Sequence, residues 1–272
     1  MNIDKKNRPI GVFDSGIGGL TVLKEIIKEL PDESTIYLGD TARVPYGIRS
    51  AETVIRYSFE NTQFLSSRDI KLLVVACNTA SAVSLDAIKK TISIPVIGVI
   101  EPGAKAAVKA TKNKRVGVIG TEATIRSSSY TKAIKALDVS IEVFGLACPL
   151  FVPLVEEGWT EGNITTLIVK QYLDRIRDQG IDTIVLGCTH YPLLKKVIAE
   201  ILGEGVRLID SAVETSLEIE KILEVLGLNR EQTGTPAREF FVTDSPERFL
   251  KVGENFLGQK IQHIEKIAVY SQ

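Results

Sequence analysis

The sequence predicts an α/β protein made of two similar three-layer units, each a mainly parallel sheet flanked by helices. Two observations carry this. Short β-branched runs alternate with longer helical patterns along nearly the whole chain, the order that builds parallel sheets. The same succession of motifs then occurs a second time.

The first pass reads "PIGVF" then "GLTVLKEIIKEL", "TIYLG" then "AETVIRYSFENTQFL", "LLVVA" then "TASAVSLDAIKK", and "PVIGV" then "PGAKAAVKA". In the second pass "RVGVIGTEAT" (115–124) answers "PIGVFDSGIG" (9–18), and "IEVFGLACPLFVP" (141–153) answers "IYLGDTARVP" (36–45). The most specific echo is "VLGCTHYP" (185–192) for "VVACNTAS" (74–81), a strand ending in Cys with Thr within two residues. All three keep their order at offsets of about 105 to 111 residues, as a duplicated unit requires. The expected domains are therefore 1–100 and 101–210. "SAVETSLEIEKILEVLG" (211–227) reads as a long helix, "NREQTGTPARE" as an exposed loop, and "EFFVTD" and "IQHIEKIAVY" as strands. This tail, 211–272, is too short for a third domain and is expected to pack back on the first.

Bulk composition narrows the function. The chain has 272 residues, 44% of them hydrophobic, and its 33 Lys plus Arg nearly balance 34 Asp plus Glu. No basic field is available to neutralise many phosphates, which argues against nucleic acid as the main partner. The longest apolar run, "VFGLACPLFVPLV", is too short for a membrane span and carries two prolines. The N-terminal "MNIDKKNRPIG" lacks a signal-peptide stretch. Three widely spaced cysteines fit reduced thiols better than a disulfide framework. A cytoplasmic protein is expected.

Ligands of open parallel sheets bind beyond the carboxyl ends of the strands. The residues there are Asp14-Ser15-Gly16, Asp40 through Gly47, Cys77-Asn78-Thr79, Thr121 and Cys188-Thr189-His190. If the two domains face each other about an approximate two-fold, Cys77 and Cys188 arrive from opposite sides of one cleft, where the active site of a two-domain, pseudo-two-fold fold is expected. A thiol is a base only as thiolate, and a helix N-terminus favours the anion. Asn78 or Thr79 is expected to cap a helix after Cys77, and Thr189 another after Cys188, with Pro192 in its first turn. One strand-terminal cysteine reads as core packing; two in register do not. Cys148, in apolar "LACPLF", reads as core.

Other chemistries fit less well. Metal binding wants pairs such as CxxC or HExxH, and neither occurs. "GIGG" (16–19) approaches a dinucleotide fingerprint, but its third glycine position is Thr21; these glycines read instead as backbone approach to a small anion. His190 stands as a core or capping histidine or as a partner of Cys188, Asp14 as a helix cap or a partner of Cys77, Glu156 as a solvated or partly enclosed carboxylate, and Tyr46-Gly47 as a turn. Arg43 is the only cation near these segments.

Taken together, "GVFDSGIGGLTV", "YLGDTARVPYG", "VVACNTAS", "CPLFVPLVEEG" and "LGCTHYPLL" resemble the glutamate racemases, members of the cofactor-independent aspartate/glutamate racemase family, from about residue 9 to 215. The resemblance implies interconversion of L- and D-glutamate for bacterial cell-wall (peptidoglycan) synthesis, with no cofactor and no metal, by a homodimer of this two-domain fold. It also implies roles. Cys77 takes the α-proton from D-glutamate and Cys188 from L-glutamate, assisted by Asp14 at Cys77 and by His190 and Glu156 at Cys188. Asp14, Ser15, Tyr46, Gly47, Asn78, Thr79, Thr121, Thr189 and His190 hold the substrate. Aspartate racemase of the same plan, a non-catalytic small-anion binding module, and a single-cysteine acyl-transfer enzyme are the alternatives.

Overall fold

The computed structural model describes residues 4–269. In chain order the strands are β1 (Ile10–Asp14), β2 (Thr35–Gly39), β3 (Leu72–Val75), β4 (Val96–Gly98), β5 (Arg115–Gly120), β6 (Glu142–Ala147), β7 (Thr183–Gly187), β8 (Arg207–Asp210), β9 (Arg238–Val242) and β10 (Glu265–Lys266). The helices are α1 (Leu20–Glu29), α2 (Ala51–Ser66), α3 (Asn78–Lys89), α4 (Ile100–Ala110), α5 (Glu122–Ser127), α6 (Ser129–Leu137), α7 (Phe151–Glu156), α8 (Asn163–Arg177), α9 (Lys195–Leu202), α10 (Ser211–Leu226) and α11 (Pro246–Leu257).

The strands form two sheets, ordered β10-β9-β2-β1-β3-β4 and β6-β5-β7-β8, and every pairing is parallel. The α/β class read from the alternation is the observed one. Moreover, β2-β1-β3-β4 and β6-β5-β7-β8 have the same order, and the three sequence echoes fall on β1 and β5, β2 and β6, β3 and β7. Parallel strands covered on both faces read as continuous apolar runs, which is why "IGVF", "LLVV" and "TIVLG" show no alternation. In β1, Ile10 and Val12 point into the larger core while Phe13 points into a second core under α2 and α3.

Three features of the C-terminal segment matter for the site. Helix α10 packs on both α1 and α4. It starts on an Asp210 cap whose carboxylate accepts the Ala212 N–H at 2.9 Å, and it ends at Gly227 in left-handed backbone. Strand β9 extends the first sheet beside β2. Helix α11 then lies on α1, with Gly253 so close that a Cβ there would come within 2.8 Å of Leu20. "IQHIEKIAVY" is strand only at Glu265–Lys266, and its Tyr270 lies outside the described residues.

Candidate active site

Because all strands of a sheet run the same way, their carboxyl ends gather on one edge. The order reverses between β1 and β3 in the first sheet and between β5 and β7 in the second, leaving a crevice beyond each reversal. The two crevices share one cavity of about 360 Å³. Ser15, Tyr46, Gly47, Cys77, Asn78 and Thr79 reach it from the first sheet, and Thr121, Glu156, Cys188, Thr189 and His190 from the second. Of the catalytic and substrate-holding residues that the resemblance implies, Asp14 alone does not line it. Val44 and Pro45, from the marked 40–47 stretch, and Ile48, Pro149, Val152 and Pro153, which the sequence did not mark, supply apolar walls.

Cys77 is the N-cap residue of α3, in extended backbone, with no capping bond from its side chain. The helix mouth is therefore where the sequence placed it, one residue earlier than expected. Its effect on the thiol is not the expected one. The residue is only 6% exposed. Burial, then the charge of Asp14, push the Cys77 thiol up to about 12 against the Ala80 N–H and Ser15 that favour the anion. Desolvation outweighs the partial charge of one helix end, so Cys77 is a protonated thiol, donating to Ser15 Oγ at 3.5 Å.

Asp14 sits fully buried behind this thiol. Burial raises its pKa, opposed by the charge of His190 and by the N–H groups of Gly16, Gly19 and Ser15. One oxygen, Oδ2, accepts the Gly16 N–H at 2.9 Å, and the other has no hydrogen-bond partner. Asp14 is not the cap of α1, whose N-cap is Gly19.

The surroundings of Cys188 differ. No α-helix opens there: Thr189 and His190 lead into a 3-10 turn, Tyr191–Leu194, with Pro192 near its start, and α9 begins only at Lys195. In place of a helix mouth, His190 turns Nδ1 to 3.9 Å from the Cys188 sulfur and Nε2 to 3.0 Å from Glu156 Oε1. Burial alone would lower the imidazole pKa. Its bonds to Cys188 and Glu156 and their charges prevail and raise it to about 10, so His190 is an imidazolium with both N–H groups engaged. Burial likewise works to raise Glu156, but His190 and then Arg248 hold the carboxyl below its usual range. The Arg248 guanidinium donates to Glu156 Oε2 at 3.3 Å. Phe256 stands edge-on to the imidazole, ring centroids 5.3 Å apart.

Three hydroxyls join the sheets at the cavity floor: Thr79 lies 2.9 Å from Thr121 and 3.2 Å from Thr124, which are 3.0 Å apart. Thr121 also caps α5. Gly47 seats on this group, where a Cβ would come within 2.8 Å of Thr121. The Tyr46 hydroxyl faces away, donating to Asp40 and receiving Asn61 Nδ2, so this residue offers the cavity its ring and backbone. Asn78 accepts the Tyr130 hydroxyl at 2.7 Å, while its buried Nδ2 has no partner among the described residues and remains as a donor for a ligand.

Two further expectations are corrected. Arg43 does not line the cavity; its guanidinium engages Asp40 at 2.7 Å, Glu60 and Asn61 and stacks over Tyr57. Among the described residues lining the cavity, positive charge comes from His190. The "GIGG" N–H groups of Gly16 and Gly19 face the Asp14 carboxylate rather than the cavity, and Gly18 serves packing: a Cβ there would stand 2.3 Å from Thr189 Oγ1 and 2.5 Å from His190. Thr21, beside them, donates to the Thr189 carbonyl at 2.8 Å. The start of α1 thus grips the Cys188 loop across the cavity. Thr124, Tyr130 and Arg248 were not picked out beforehand, and Thr21 only as a break in the glycine pattern, because each acts through a partner far away in sequence or through an ordinary-looking cap.

The Asp/Glu/Hydantoin racemase family model matches residues 10–215, three-quarters of the chain and every cavity residue named above. The chain belongs to that family. Among the racemases with curated sequences, it is 57% identical to the glutamate racemase of Geobacter metallireducens over 97% of this chain and 98% of the relative. Among solved racemases, glutamate racemase RacE1 from Bacillus anthracis superposes with a TM-score of 0.93 at 46% identity, covering 97% of this chain and 98% of the other. The Francisella tularensis glutamate racemase in complex with D-glutamate gives 0.92 at 42% identity, over 97% and 98%. Among the described residues no helix is long and apolar enough to cross a membrane.

Proposed function

We propose that this protein interconverts L- and D-glutamate by a two-base mechanism, without a cofactor, with Cys77 and Cys188 as the acid–base pair. The observation that carries the reading is that the two sulfurs line one cavity from opposite sheets, each with its own charged partner. Near-full-length identity to named glutamate racemases supports glutamate over aspartate as the substrate.

The chemical difficulty is the weak acidity of an amino acid's α-hydrogen without an electron sink. An aligned base, a donor on the opposite face, and hydrogen bonds to the carboxylate as it gains enolate character lower that barrier. In the L-to-D direction Cys188, as thiolate paired with the His190 imidazolium, removes the α-hydrogen. The carboxylate takes up the charge through donors such as Asn78 Nδ2, the cavity hydroxyls and the free N–H groups at the start of α3. The Cys77 thiol then delivers its hydrogen to the other face. One C–H bond breaks and one forms, and the sulfurs have exchanged protonation states. The reverse direction starts from that exchanged form, in which the substrate's ammonium offsets the Asp14 charge beside Cys77. One thiol ionised and one neutral is a coupled condition, so kcat/KM is bell-shaped in pH.

Neutral donors and one imidazolium facing two carboxylates support modest substrate affinity. The resemblance supports a homodimer working in the cytoplasm to supply D-glutamate for peptidoglycan precursors. The test is isotope uptake: in heavy water either pure enantiomer acquires deuterium at its α-carbon, and Cys77→Ser or Cys188→Ser lowers racemisation by about 10³-fold or more while the fold is retained. Folded wild-type protein that leaves both enantiomers unlabelled overturns the reading.

A further inference from the structure

We propose that Arg248, on α11 of the C-terminal segment, is a positioning residue for the Cys188 side of the reaction. It acts by fixing the Glu156 carboxylate so that its other oxygen holds His190 against the sulfur. The inference rests on the two-base reading above.

The residues form a continuous chain of contacts. Arg248 Nη2 donates to Glu156 Oε2 at 3.3 Å, Glu156 Oε1 holds His190 Nε2 at 3.0 Å, and His190 Nδ1 lies 3.9 Å from Cys188. A carboxylate with only one oxygen bonded can rotate about its last torsion, which is broad; a second bond to the remaining oxygen removes that freedom. Helix α11 is suited to supply it. It is anchored on α1 through Gly253 and Leu20, and α1 in turn binds the Cys188 loop through Thr21. Phe256 of the same helix braces the imidazole ring itself. One helix therefore holds both members of the Glu156–His190 pair, and it lies beyond residue 215, where the match to the family model ends. The catalytic core common to the family is completed here by a segment outside it.

The charged groups around Glu156 define what removal of Arg248 does. His190 faces it from the loop after β7 and Arg248 from α11. Glu157 shares the guanidinium at 3.9 Å, and Asp14 interacts with His190 from the first sheet. Without Arg248, Glu156 keeps one cation instead of two and becomes easier to protonate. The acid limb of the pH profile then moves to higher pH.

The experiment compares wild type, Arg248→Ala and Arg248→Lys. Because the enantiomers have equal free energy, kcat/KM must fall equally in both directions, by about five- to tenfold for the Ala variant. The discriminating readouts are two. The isotope effect with α-deuterated L-glutamate, whose deuteron goes to Cys188, increases relative to that with the D-form, and the acid limb shifts upward in pH. Arg248→Lys restores most of both. The arginine side chain is 58% exposed, so the melting temperature of each variant stays near wild type. Activity within twofold of wild type with an unmoved acid limb overturns the proposal. So does a loss of rate that tracks a lower melting temperature and leaves the isotope effects and pH limb unchanged. Failure of the racemase reading itself would show earlier and differently, as wild-type protein that exchanges no α-hydrogen.

Discussion

The half that carries Cys77 and the half that carries Cys188 share a strand order, and each delivers its thiol just past the third strand of its unit. Their electrostatics are opposite. Cys77 stands against a buried aspartate and a serine hydroxyl with no cation beside it among the described residues, and its thiol is pushed up to about 12. Cys188 stands against an imidazolium that is itself held by Glu156 and Arg248. The two thiols occupy matching places in the two units, but their neighbours differ: an aspartate beside one, a histidine–glutamate pair beside the other. Symmetry of fold does not require symmetry of charge.

The comparison can be broken most forcefully at His190. His190→Gln removes the counter-charge at Cys188 while keeping a polar side chain, and kcat/KM is expected to fall by about 10²-fold. The same variant changes the dependence of stability on pH. The folded pKa of about 10 lies above the ordinary 6.5, so the stabilisation from the charged ring is fully present below pH 6.5 and is lost as pH rises through about 10. Thermal melts of the wild type should decline across that window, and those of His190→Gln should decline less. A flat wild-type curve would contradict an imidazolium at this site.

Asp14→Asn sharpens the other half. Loss of the buried negative charge lowers the Cys77 thiol pKa, so the alkaline limb of kcat/KM moves to lower pH. The rate at neutral pH drops by about tenfold, typical of a displaced acid–base partner. An unmoved alkaline limb would mean that Asp14 does not govern Cys77. The smallest effect is expected where the halves meet. Thr21→Val keeps shape but loses the bond to the Thr189 carbonyl, at a cost of about 1 kcal/mol, most of it in stability. Differential scanning calorimetry should register a fall of about 2 to 4 °C; no change would remove Thr21 from the set of contacts that hold the Cys188 loop.

What the sequence disclosed and what it withheld divide along a physical line. Strand-then-helix alternation, the paired cysteines and the neighbouring hydroxyl residues are local patterns, so the α/β class and most cavity-lining positions were legible. The turn after Cys188 was not. Pro192 fits the first turn of an α-helix as well as a 3-10 turn, and only the packing of Tyr191, whose hydroxyl donates to the Cys148 carbonyl, selects the latter. Arg43 was misread because proximity in sequence cannot tell which way a guanidinium points, and Asp40, Glu60 and Asn61 claim it. Arg248 was invisible for the opposite reason: 92 residues separate it from Glu156, and nothing in "SPERFL" marks it.

Both cysteines are only 6% exposed, and both line the shared cavity. In the two-base cycle a departing product leaves the thiols in the mirror arrangement of the one its precursor met. On the two-base reading, the next molecule then meets a site set for the enantiomer just released, until the two thiols exchange protons through the cavity.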